Sequence, residues 1–198
     1  MTTSTGSPSL PLTEFLPVPR LVVKETQIDK PRFPVIDAHN HLTLEGFGAW
    51  DQRPISELLD IFDQANVRVY VDLDGGWGED ILHAHLDYFK AAAPERFRVF
   101  GGVDWSKWPE HGDRFGEWAA ERLRQQVARG AEGLKIWKPF GLSVTDHKGK
   151  LVSVDDERLD PIWATAGELH IPVTIHIADP VAFFDPIDAS NERWEELH

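Results

Sequence analysis

Five short runs rich in β-branched and aromatic residues, separated by helical patterns, constrain this chain more than any other feature. They are PVIDAHN (34–40), VRVYVDL (67–73), FRVFGGV (97–103), AEGLKIW (131–137) and IPVTIHI (171–177). Such composition predicts strands. Leu58, Leu59, Ile61, Phe62 and Ala65 form a helical stripe, as do Phe115, Ala119, Leu123 and Val127, the latter closed by Arg129 and Gly130. A third stripe is Leu159, Ile162, Trp163, Ala166 and Leu169, and a further helix is expected from Glu79 to Ala93, before Pro94. Strand starts recur every thirty to forty residues or so, roughly the size of a βαβ unit. Repeated βα units predict a parallel sheet clothed in helices. LSVTDHKGKLVSV (142–154), alternating around Lys148-Gly149, reads as a hairpin excursion.

Period-two alternation assigns the strand faces. Val67, Val69, Val71 and Leu73 oppose Tyr70, Asp72 and Asp74; Leu134 and Ile136 oppose Gly133, Lys135 and Trp137. Val173, Ile175 and Ile177 oppose Thr174 and His176, while Ile36 and Ala38 oppose Asp37, His39 and His41. Each strand thus offers an aliphatic face to helices and a second face that turns polar near its C-terminal end. A barrel with its active site at the C-terminal mouth has this pattern.

Composition narrows the chemistry. The chain has 198 residues, 41% hydrophobic and 27% charged, with a net charge of -13. That charge argues against nucleic acid and anionic membrane as partners, since both need basic surface. Cysteine is absent, so disulfides and thiolate-held metals are excluded. No apolar run approaches the roughly 20 residues of a membrane span, and the start lacks the pattern of a signal peptide. A cytoplasmic protein is expected. Residues 1–31 read as a Pro- and Ser-rich arm, and 32–198 as the body.

On a strand, residues i and i+2 point the same way, so His39 and His41 are neighbours that can converge on one ion. His83 and His85 have the same spacing in a helical pattern, where such residues diverge, and are not taken as ligands. His176, also on a polar face near a strand end, is the candidate third ligand.

The segments VIDAHNHL, FRVFGGVD, GAEGLKIWK and LHIPVTIHIADP together resemble the amidohydrolase superfamily, in its amidohydrolase-related branch that includes aminocarboxymuconate-semialdehyde decarboxylase. The resemblance runs from Ile36 to about Asp188. It implies a distorted (β/α)8 TIM barrel with one or two divalent metals, zinc first and manganese as the alternative. His39 and His41 match the first-strand ligands and His176 the fifth-strand ligand. Lys135 falls where some members carry a carboxylated lysine bridging two metals; it could instead meet the substrate or be a capped core lysine. Lys138 alternates to the other face. Members also need a sixth-strand His and an eighth-strand Asp, which have no counterpart here, and a typical barrel takes about 250 residues. The expectation is therefore α/β, a partial TIM barrel of about the first five βα units, C-terminally truncated and weakly active at most. Its unpaired sheet edges would invite homo-oligomers.

Asp179, after the His176 strand, could orient that imidazole or be a turn residue. Asp37 reads as a buried partner, while Asp72, Asp74 and Asp104 face inward without a matched role. Trp50, Trp77, Trp105 and Trp108, with Phe140, Phe183 and Phe184, could wall a pocket or cap the barrel. The leading function is a metal-dependent hydrolase of a small-molecule amide, ester or lactone. The alternatives are a metal-dependent non-oxidative decarboxylase of an aromatic or muconate-type acid, and an inactive metal- or partner-binding fragment.

Overall fold

A computed structural model describes residues 10–43, 48–177 and 179–198 of the chain. These divide into two compact units, Asp29–His176 and a smaller one combining Met1–Ile28 with Ile177–His198.

The larger unit holds a five-stranded parallel sheet in the order β1-β2-β3-β4-β5, a curled half-barrel. The strands are β1 (Val35–Asn40), β2 (Val67–Asp72), β3 (Phe97–Gly102), β4 (Gly133–Ile136) and β5 (Val173–Ile175). All four neighbouring pairs are parallel. The connections carry α1 (Ile55–Gln64), α2 (Glu79–His85), α3 (Trp108–His111), α4 (Phe115–Arg129) and α5 (Asp160–Glu168). A π-helical turn, Leu86–Lys90, prolongs α2, and α4 stops at Gly130 as its sequence predicts. Residues 142–154 do turn back, with Thr145 bridging antiparallel to Leu151.

Around β4 the apolar stripe packs as the alternation predicts, whereas on β5 only Val173 joins the core and Ile175 and Ile177, expected on the same face, are exposed. Leu134 and Ile136 meet Phe115, Ala119 and Leu123 of α4 and Ile162 and Ala166 of α5, with Val173 packed against the same cluster. Trp108 is wholly buried there, so it caps the core rather than a pocket.

On β2, and on β1 as far as Asp37, the faces are reversed. Tyr70 and Asp72 are the buried side chains of β2, and Tyr70 packs with Phe62 of α1 and Phe97 of β3. Val69 and Val71 are only half-buried, and Ile36, paired with Val69, is 64% exposed. The helix-bearing face of the sheet thus carries Tyr70, Asp72, Val99, Leu134 and Ile136, and the opposite, open face carries Ile36, Val71, Gly102 and Lys135. An aromatic ring with a polar tip buries more area than a valine and keeps its hydroxyl satisfied, here by donating to the His41 carbonyl at 3.1 Å.

The smaller unit pairs the N-terminal segment with the C-terminal one through Leu16 N–H to the Ala189 carbonyl and Val18 N–H to the Ser190 carbonyl, both 2.9 Å. Arg20 donates to Asp185, and the short α6 (Trp194–Leu197) ends the unit. No helix among the described residues is long and apolar enough to cross a membrane.

Candidate functional site

A bulge in β1 decides where its histidines point. Asp37 pairs with Tyr70 and Asn40 with Asp72, so three steps on β1 oppose two on β2. The extra residue flips the alternation, as bulges do. Asp37 therefore parts from His39 and His41. It accepts from the Asn40 amide at 2.7 Å, while the two imidazoles turn to the open face. Their rings meet edge-on with centroids 5.4 Å apart. The alternation reading placed all three on one face, since a bulge has no signature in composition.

The same face carries Lys135 and His176. Lys135 pairs in register with Thr174, and His176 follows two residues later, its N–H bonded to the Ile136 carbonyl. Trp137 joins the group: its ring lies 5.2 Å from that of His41 and 6.3 Å from that of His176. Trp77 stacks on both His41 and Trp137, at 4.9 and 4.8 Å.

Lys135 is 1% exposed, and its Nζ has no hydrogen-bond partner; its nearest compensation is the face of Trp137, 4.8 Å away. Burial pushes its pKa down, toward the neutral amine. The His39 pKa is also lowered, first by burial and then by Lys135, His41 and His176. Neutral imidazoles are the protonation state that binds a metal. A buried, partnerless amine beside them calls for an anionic or electron-poor partner. In donor chemistry the group fits a divalent cation.

Beneath this face lies a buried polar network. His41 Nδ1 bonds Asp74 Oδ1 at 2.6 Å. Asp74 Oδ2 accepts from the Leu42 N–H (2.7 Å), the Thr43 N–H (2.8 Å) and the Thr43 hydroxyl (3.1 Å). Thr43 Oγ1 meets His85 Nε2 at 2.6 Å, and His85 Nδ1 meets Asp72 Oδ2 at 2.5 Å. Asp72 Oδ1 takes the Asp74 N–H at 3.0 Å. Burial would raise the Asp74 carboxyl, but its hydrogen bonds from His41, Leu42 and Thr43 hold it below its ordinary value. Burial would lower His85, yet Asp72 raises it; Asp72 is itself raised, by burial first. The Asp72–His85 pair thus keeps hold of a shared proton.

Among the described residues, Asp72, Asp74 and His85 are the one group of three acid or imidazole donors with ligand atoms within 4.8 Å of one another. His39, His41 and His176 are not gathered to that spacing. All six donor atoms of the tighter group are already hydrogen-bonded, so an ion there would have to break the network. Spacing alone sets His85 aside. The overlooked signal is its place on the stripe Leu82, His85, Leu86 and Phe89, which turns it inward with the apolar side chains.

Beside this face, in the same unit, a half-open cleft of about 1100 Å³ is walled by Trp77, Trp105, Trp118 and Trp137, with Lys107 and Lys138 also lining it. Its floor is tied by Gln126 of α4, which bonds both backbone polar groups of Gly102 and also donates to Glu79, itself paired with Arg122. Close approach here depends on Gly76 and Gly102: a Cβ on Gly76 would meet Trp137 Nε1 at 2.5 Å, and one on Gly102 would meet Gly76 Cα at 2.5 Å. Trp50 lies elsewhere, stacked under the Arg53 guanidinium at 3.9 Å. Asp179, Phe183 and Phe184 belong to the smaller unit, where Asp179 is half-buried and Phe184 is 80% exposed.

No family model matches the chain. No curated protein matches it either. Among solved structures it is similar to 5-carboxyvanillate decarboxylase from Novosphingobium aromaticivorans, complexed with manganese and 4-hydroxy-3-methoxy-5-nitrobenzoic acid, at 19% identity and a TM-score of 0.42. The similarity covers 66% of this chain and 37% of that enzyme.

Proposed function

We propose that this chain carries the metal-binding face of a metal-dependent enzyme of the amidohydrolase type, and that its reaction is the non-oxidative decarboxylation of an aromatic acid. The observation that carries the reading is the pairing of a histidine face with an adjoining cleft of four tryptophans edged by lysines. His39, His41 and His176 would hold the ion, manganese or zinc. Such an ion binds and polarises a carboxylate or carbonyl oxygen and supplies positive charge that no side chain matches. Trp77 and Trp137 would stack on an aromatic ring, and Lys107 or Lys138 would attract its carboxylate from solvent. The tryptophan walls would exclude water, which strengthens every charge interaction at the ring.

Hydrolysis of an amide, ester or lactone is the second reading. The buried, partnerless Nζ of Lys135 favours it, because a carboxylated lysine at that place would supply an anionic ligand for a second ion.

The test is titration of manganese and zinc into the full chain. The loaded protein is then assayed for CO₂ release from hydroxybenzoates and for hydrolysis of lactones and amides. CO₂ release supports the first reading and hydrolysis the second. Metal binding without turnover makes the chain a binding module, and failure to bind either ion overturns the proposal.

A further inference from the structure

Thr43, His85 and Asp72 lie away from the open face, yet an unbroken chain of hydrogen bonds joins them to His41. Three separate segments contribute to it: the residues just after β1, the end of β2 with the turn that follows, and α2. Asp72 and Asp74 are fully buried and His85 is 1% exposed, so the Asp72–His85 link is closed to water.

Donor counting gives the chain a direction. Asp74 receives three donors on Oδ2, and a carboxylate in that setting only accepts. The proton between His41 and Asp74 therefore sits on His41 Nδ1, which leaves the ring's lone pair on Nε2. The Thr43 hydroxyl has a single proton, and it goes to Asp74. At His85 that hydroxyl must accept, so His85 Nε2 carries a proton. A residue at position 85 that withheld this donor would let the hydroxyl turn, and Asp74 would lose one of the bonds that hold it in place.

We propose that Thr43 and His85 are positioning residues for His41, fixing Asp74 as its acceptor and so setting His41 as the Nδ1–H tautomer with Nε2 as its ligand atom. The use of that atom for a metal rests on the reading above; the tautomer does not. Histidine ligands of metals are commonly oriented by a carboxylate on the other ring nitrogen. Here the carboxylate is itself oriented, through a hydroxyl, by a second histidine on a helix.

The experiment records long-range ¹H–¹⁵N spectra of the metal-free, ¹⁵N-labelled full chain at mildly alkaline pH. Thr43→Val is nearly isosteric and removes the hydroxyl, Thr43→Ser restores it, and His85→Phe removes the donor at the other end. The expected result is His41 as Nδ1–H in the parent and in Thr43→Ser, and a mixture containing Nε2–H in Thr43→Val and His85→Phe. If His85→Phe does not fold, the Thr43 pair decides the matter alone. An unchanged tautomer in Thr43→Val, or a Thr43→Ser protein that behaves like Thr43→Val, overturns the proposal. Manganese affinity should fall about tenfold in Thr43→Val and hold in Thr43→Ser, at the lower end of the loss usual when the support of a ligand is removed. Tautomers that shift as expected in a protein that binds no manganese uphold the positioning chain and overturn only the metal reading.

Discussion

Two strands of the same sheet, β2 and β4, bury opposite kinds of side chain against their helices. β4 turns Leu134 and Ile136 to α4 and α5 and sends Lys135 to the open face. β2 turns Tyr70 and Asp72 to α1 and α2 and leaves its valines half-buried on the open side. The difference lies in what the helices offer. α4 and α5 present aliphatic and aromatic stripes, and hydrocarbon meets hydrocarbon. α2 presents His85, so the strand beneath it must answer with a carboxylate. A buried apolar contact adapts by sliding, whereas a buried hydrogen-bonded charge pair tolerates little displacement. The β2 side therefore reads as the part of the sheet that fixes geometry, and the β4 side as the part that supplies bulk stability.

Removing one partner of the buried pair breaks this comparison hardest. Asp72→Ala leaves His85 buried without its carboxylate and should destabilise by about 3–5 kcal/mol in chemical denaturation. A double replacement by leucines at 72 and 85 should recover much of that loss while still disturbing His41, which would separate stability from positioning. On the β4 side, Leu134→Ala opens a cavity among α4 and α5 and should cost about 3 kcal/mol, with the His41 spectrum unchanged. Equal effects of Asp72→Ala and Leu134→Ala on His41 would erase the distinction between the two strands.

Dependence on pH sharpens the same contrast. The folded-state pKa of His85 is raised above 6.5, so its contribution is fully present below 6.5 and fades as pH rises through the folded value. Asp72, also raised, acts in the same sense. Asp74 is depressed below 3.8, so its contribution is present above 3.8 and is lost as pH falls through the folded value. Thermal melts should thus weaken at both ends of the range in the parent, and the alkaline loss should be absent from the double-leucine protein. An identical alkaline slope in both would assign the loss to other groups. The smallest effect is expected at the surface: Glu57→Gln breaks the exposed Arg53–Glu57 pair and should change stability by roughly 0.5 kcal/mol or less.

The five strands, their parallel order and the apolar face of β4 are legible in the sequence because β-branched alternation and four-residue helical stripes report burial directly. The faces of β1 and β2 are not. Alternation divides a strand into two faces without saying which one meets the helices, and Tyr70 is apolar enough in body to go inward while its hydroxyl suits either reading. The pairing of His39 with His41 is legible as a strand doublet; the bulge that aims it is a matter of register, which only the neighbouring strand reveals. Asp72 and Asp74 read as facing the barrel interior, yet Asp72 is buried on the helix-bearing face, and its partner His85 sits on another element, so no local pattern could join them. His85 was within reach, since its helical stripe is otherwise wholly apolar.

The central claim is that a divalent ion binds on the open face at His39, His41 and His176 and leaves the tighter group beneath it intact. Anomalous scattering at the manganese edge from crystals of the manganese-loaded chain tests it most directly. The account predicts a peak beside His39, His41 and His176, abolished by His176→Ala and retained in His85→Phe. A peak among Asp72, Asp74 and His85 would contradict it, with the hydrogen-bond network then being the metal site rather than its support.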